Sequence, residues 1–146
     1  MDQRELLNSF YLFAGVTSKD LVALDAIAER KAYIAGDLIY SEGDVADALF
    51  IVEMGTVDIV PKGKEIVFTS IGSGQGFGEL ALFERGTRPA SASARERTYL
   101  VRIPYERLSK LLAERPELAL LVYRNACAFF AKHFRAIALD MNRRYL

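Results

Sequence analysis

A chain of 146 residues with a formal net charge of zero is long enough for one domain with its own core. It carries no global field that would draw it to a phosphate backbone or an anionic membrane. Its composition, 51% hydrophobic and 26% charged, argues against disorder, and its single cysteine, Cys127, excludes an internal disulfide and fits a reducing compartment. The N-terminal MDQRELLNSF places charges where a secretory signal needs apolar residues, and no apolar run approaches membrane-spanning length. The expectation is a soluble, cytoplasmic protein of one domain, 1–146, with no membrane partner.

In chain order, Leu6, Leu7, Phe10, Leu12 and Phe13 form an apolar segment that stops at Gly15. Thr17 or Ser18 then has the side chain of a helix N-cap, and Leu21, Leu24, Ile27 and Ala28 recur at helical spacing to about Arg30. From about Lys31 short apolar runs alternate with glycines. Gly36, Gly43, Gly55 and Gly63 sit where tight turns need positive φ, and Val, Ile, Phe and Tyr fill the stretches between. Many short strands with regular turn signals predict a sandwich or barrel, and a further β stretch spans roughly Ala90 to Ile103. Pro104 suits the first position of a helix bearing Leu108, Leu111 and Leu112, and Pro116 the first position of the next. That last helix is expected to run about 30 residues, roughly 45 Å. Along it Leu120, Tyr123, Cys127, Phe130, Phe134, Ile137 and Met141 recur at spacings of three and four, a heptad seam. Such a stripe suits a helix lying on its own sheet. A helix longer than the domain beneath it must also bury its free end, so a homodimer through this helix is expected.

The segment from Gly72 to Ala94 is the most informative. Gly72, Gly74 and Gly76 precede Phe77, and Gly78-Glu79-Leu80-Ala81-Leu82 reads as the start of a single helical turn. Backbone N–H groups at a helix start lack internal partners and favour an anion. Arg88, beyond a turn containing Gly86, could bring a planar fork of donors to that anion. Glu79 makes sense there if the ligand also offers a hydroxyl, as a ribose phosphate does. The plainer alternative is a salt bridge between Glu79 and Arg88 across the turn.

These residues resemble the cyclic nucleotide-binding domain family of catabolite-activator-type regulators, cyclic-nucleotide-dependent kinases and cyclic-nucleotide-gated channels. The resemblance rests on Phe77-Gly78-Glu79-Leu80-Ala81-Leu82, on Arg88 followed by Ala90 and Ser91, and on the glycine pattern Gly36-Asp37, Glu42-Gly43-Asp44 and Gly55-Thr56-Val57. It implies a mainly β fold with flanking helices: a double-stranded, jelly-roll-like β-roll over 31–103 with a short phosphate-cradle helix within 72–91. N-terminal helices over 1–30 and C-terminal helices over 104–146, the last one long, complete it. It further implies that Glu79 and the Gly78 backbone hold the ribose 2′-hydroxyl, that Arg88 pairs with the phosphate, and that amides around Leu80 and Ala81 complete the cradle. Phe68 matches a position lining the base pocket, and His133 and Phe134 fall where the family's last helix meets the base. His133 can equally be a solvated helix residue, and Phe134 a packing one. The family usually places Ser, Thr or Ala after the arginine, with an N–H on the phosphate; Pro89 has none and pushes Arg88 toward extended angles. That weakens binding and argues against guanine selectivity, leaving cyclic AMP as the expected ligand, ahead of cyclic GMP.

No catalysis is expected. A cupin-type metal site needs several histidines and this chain has one, so no metal or cofactor is predicted; Cys127 has no histidine base placed beside it. Arg143 and Arg144 are too few for a groove-reading element, so DNA is not an expected partner. The signal would leave through an effector protein or a second copy. The rival expectation is a degenerate β-roll that no longer binds nucleotide and serves as an interaction module.

Overall fold

The computed structural model describes residues 2–61, 63 and 66–145. The side chains of Arg144 and Tyr145, and all of Leu146, lie outside the described residues. Asp2 opens α1 (Gln3–Ser9): its carboxylate accepts from the Glu5 N–H at 2.8 Å while Glu5 accepts from the Asp2 N–H at 3.2 Å. A 3-10 turn (Tyr11–Phe13) follows. Thr17, rather than Ser18, caps α2 (Ser18–Ile27), its Oγ1 accepting from the Asp20 N–H at 3.2 Å.

Among the described residues eight strands follow: β1 (Glu29–Tyr33), β2 (Leu38–Tyr40), β3 (Ala48–Met54), β4 (Val57–Val60), β5 (Thr69–Ile71), β6 (Gly76–Phe77), β7 (Ser91–Ala94) and β8 (Thr98–Pro104). They form two antiparallel four-stranded sheets, ordered β1-β8-β3-β6 and β2-β7-β4-β5. This is the β-roll. The stretch expected from Ala90 to Ile103 is thus two strands in different sheets, parted at 95–97. Gly36, Gly43, Gly55 and Gly63 all take positive φ, as the turn pattern predicts.

The run Ala48 to Val52 is buried without a break because β3 has a core on each face. Ala48, Phe50 and Val52 point into the roll with Val57, Phe77, Ala92 and Leu100. Leu49 and Ile51, with Val101 and Ile103 of β8, point outward onto a second core built by the helices through Leu6, Leu7, Phe10, Phe13, Leu108 and Leu118. Pro104 stands one position ahead of its expected place, capping α4 (Tyr105–Glu114), and Pro116 opens the 30-residue α5 (Pro116–Tyr145).

The long helix does not lie on the sheet. It packs against the N-terminal segment, where Asn125 Nδ2 donates to the carbonyls of Leu12 and Ala14 at 2.9 and 3.0 Å. The face it turns inward carries Leu118, Val122 and Ala126, not the expected seam. Of that seam only Phe130 packs on the core. Leu120, Tyr123, Phe134, Ile137 and Met141 are exposed, as is Cys127. Every described side chain from Ala131 to Arg143 is exposed.

Candidate functional site

The site starts at β6, which leads into Gly78 at φ +79°, a conformation that costs an L side chain about 1–2 kcal/mol. A Cβ there would also stand 2.7 Å from Arg88 Nη1. The chain then takes the helical angles at Glu79 and makes the four-residue α3 (Leu80–Phe83), the single turn that the sequence predicts. Gly78 to Ala81 and the loop from Glu84 to Pro89 line one side of a cavity of about 590 Å³. Tyr40, Ile59, Thr69 and Ile71 line the other.

Arg88 is almost fully buried, 3% exposed. Its backbone is tied to the preceding turn: its N–H donates to Asp44 O at 2.8 Å, and its carbonyl accepts from the Gly43 N–H at 2.9 Å. The guanidinium is braced from several sides. Nη2 donates to Ala48 O at 2.6 Å, Nη1 to Gly78 O at 3.2 Å, and Cζ lies 4.1 Å from the centre of the Tyr40 ring. Tyr105 Oη donates to the same Gly78 carbonyl. The carboxylate paired with Arg88 is Asp47 at 3.9 Å, not Glu79, so the two cradle residues form no salt bridge across the turn. Arg88 Nε is buried with no hydrogen-bond partner.

Glu79 is a second residue here with an unsatisfied atom: its Oε2 is buried without a partner. Burial pushes its carboxyl above the ordinary carboxylate range, against the opposing pull of its own backbone N–H and of Tyr11. Burial likewise raises the phenols of Tyr40 and Tyr105, with Arg88 working against it and Glu79 adding to it. Two residues of the cavity wall therefore hold buried atoms without partners, a guanidinium donor on Arg88 and a carboxyl acceptor on Glu79.

The structure brings Gly78, Glu79, Leu80, Ala81, Arg88 and Pro89 to this one cavity. Ala90, next in sequence, is half-buried and does not line it. Phe68 is 77% exposed and also stands outside. Thr69 pairs with Ile59 and Ile71 with Val57 along β4 and β5, and side chains on a strand alternate, so with Thr69 and Ile71 turned to the cavity Phe68 faces away. His133 and Phe134 are exposed on the free part of α5, the His133 ring lying 4.1 Å from that of Phe129. Neither reaches the cavity. Sequence reasoning did not single out Tyr40, Ile59, Thr69, Ile71 or Arg85, which do line it; the alternation of β4 and β5 is the signal that marks Ile59, Thr69 and Ile71.

Among the described residues no cluster of His, Cys, Asp or Glu could hold a metal ion, and no helix is long and apolar enough to cross a membrane. The family model of the cyclic nucleotide-binding domain matches residues 30–115. The chain is 31% identical over 134 residues to the cyclic AMP receptor protein of Thermus thermophilus, covering 90% of this chain and 60% of that one. It is 30% identical over 118 residues to the CRP-like cAMP-activated global transcriptional regulator of Mycobacterium tuberculosis, covering 79% and 53%. Its fold matches the N-terminal domain of a transcriptional regulator from Streptomyces coelicolor A3(2) with a TM-score of 0.78 at 29% identity, covering 88% and 94%. The chain thus spans between 53% and 60% of the length of these two curated relatives.

Proposed function

Because the chain belongs to the cyclic nucleotide-binding domain family, we propose that it is a regulatory module that binds cyclic AMP in preference to cyclic GMP. It passes occupancy through α5 to a second copy or an effector protein. The observation that carries this is the pair of buried unsatisfied groups, Arg88 Nε and Glu79 Oε2, on residues lining one cavity. A cyclic ribose phosphate offers both an anionic oxygen and a hydroxyl donor, and the glycine-bounded turn from Gly78 to Ala81 adds backbone amides. Binding, not catalysis, is the role of this site. The exposed seam on α5 suits a second copy packing helix against helix.

One observation favours the rival, a roll that has kept the fold and lost the nucleotide. Arg88 already has Ala48 O, Gly78 O and the Tyr40 ring as partners, and Pro89 offers no amide beside it. On that view the arginine is a brace. Calorimetric titration with cyclic AMP, and with cyclic GMP in parallel, decides between the two. The nucleotide reading expects saturable binding in the micromolar range that Arg88→Ala abolishes. Because that variant also strands two carbonyls, Arg88→Lys is run beside it, which keeps the charge but not the fork. A lysine variant that melts like the wild type yet binds far more weakly supports ligand contact. No heat from either nucleotide up to millimolar concentration, at two temperatures, favours the brace.

A further inference from the structure

Glu79 has a neighbour from outside the cradle, on the N-terminal segment. Tyr11, in the 3-10 turn after α1, is near enough to the Glu79 carboxylate for the two groups to act on each other, and Tyr11 Oη and Glu79 Oε2 are both buried polar atoms without a hydrogen-bond partner. Burial and the adjacent Glu79 charge push the Tyr11 phenol well above its ordinary range, so it stays a donor at any physiological pH.

The phenol is held from several directions. Its ring stacks on Phe129 of α5, centroids 3.9 Å apart and planes within 13°. Phe10 meets it edge-on at 4.8 Å, and Phe10 itself fills the space that a Cβ on Gly76, at the entrance to the cradle, would need. Asn125 fixes the backbone of the same turn through Leu12 O and Ala14 O. A donor this constrained can fix the orientation of the carboxylate beside it.

We propose that Tyr11 is a positioning residue for ligand recognition: its O–H engages the Glu79 carboxylate and aims the remaining acceptor at the ligand's sugar hydroxyl. The inference rests on the cyclic-nucleotide reading of the cavity. Tyr11 acts through Glu79 and touches no ligand atom itself.

Tyr11→Phe keeps the ring and its stack on Phe129 and removes only the donor. The test is calorimetric affinity of the full chain for cyclic AMP and for its 2′-deoxy analogue, in wild type, Tyr11→Phe, Glu79→Gln and the double variant. Removing one charge-assisted hydrogen bond that acts indirectly should weaken cyclic AMP binding about tenfold. Affinity for the deoxy analogue should not change, because it has no hydroxyl for Glu79 to meet. The double variant should bind cyclic AMP no worse than Glu79→Gln alone. Equal weakening toward both ligands would mean that Tyr11 merely supports the fold and would overturn the proposal, as would unchanged cyclic AMP affinity or additive losses in the double variant. Wild type that binds neither nucleotide overturns the cyclic-nucleotide reading, and this inference with it. Wild type that binds both equally leaves that reading standing and refutes the roles of Glu79 and Tyr11 in holding the sugar hydroxyl.

Discussion

At the scale of single residues, Pro89 lines the cavity directly after Arg88. Proline has no N–H to offer an anion. Replacing it with alanine restores that donor, and one hydrogen bond to a charged group justifies an expected gain of about tenfold in cyclic AMP affinity. Titration calorimetry of Pro89→Ala reads it; equal or weaker binding would show that the proline amide was never the missing contact. Gly78, Glu79 and Arg88 were legible in sequence because each stands out locally: a glycine at a tight turn, a carboxylate at the start of a helical turn, a guanidinium beyond a glycine turn. Their mutual arrangement was not. That Arg88 leans on Ala48 O, Gly78 O and Tyr40 rather than pairing with Glu79 depends on partners 10 to 48 positions away in the chain, which no local pattern encodes.

At the scale of elements, α5 is the informative case. Its length and starting proline follow from spacing alone, and so does the existence of an apolar stripe. The stripe that repeats most regularly is not the one that faces the domain. Leu118, Val122 and Ala126 are buried, whereas Leu120, Tyr123, Phe134, Ile137 and Met141 are not. Periodicity finds apolar faces; it does not say which surface each face meets. The exposed face is an unusual surface for a lone chain. If two copies pack along it, Phe134→Glu combined with Ile137→Glu should turn a dimer into a monomer by sedimentation. The melting temperature of the β-roll should move little, since both side chains stand clear of its core. A wild type that sediments as a monomer would assign the seam to another partner. The β-strands teach the same lesson in a smaller way. Phe68 was the expected lining residue, yet the pairing of β5 with β4 gives the cavity to Thr69 and Ile71 instead.

At the scale of the whole molecule, the cradle and the long helix are joined by aromatic rings. Phe83 of α3 meets Tyr123 and Phe130 of α5 edge-on at 5.7 and 5.9 Å, and Tyr11 stacks on Phe129. The corner between α4 and α5 is pinned to α2 by Arg115 and Asp20 at 2.7 Å. A change at the cradle is therefore expected to reach α5 through these rings while the corner holds, to the extent that ligand prefers one arrangement over the other. Amide hydrogen exchange over residues 117–145 should slow when cyclic AMP is added; unchanged protection with the site demonstrably occupied would sink this coupling. The sequence by itself determined the order of helices and strands, the glycine turns, the cradle motif and the family they resemble, because these rest on local backbone preference and on residues close together in the chain. Only the tertiary structure decided which strand faces line the cavity, which stripe of α5 is buried, where His133 stands and what Arg88 and Glu79 touch. Those outcomes depend on how separate elements pack against one another, and packing is settled by the whole chain at once.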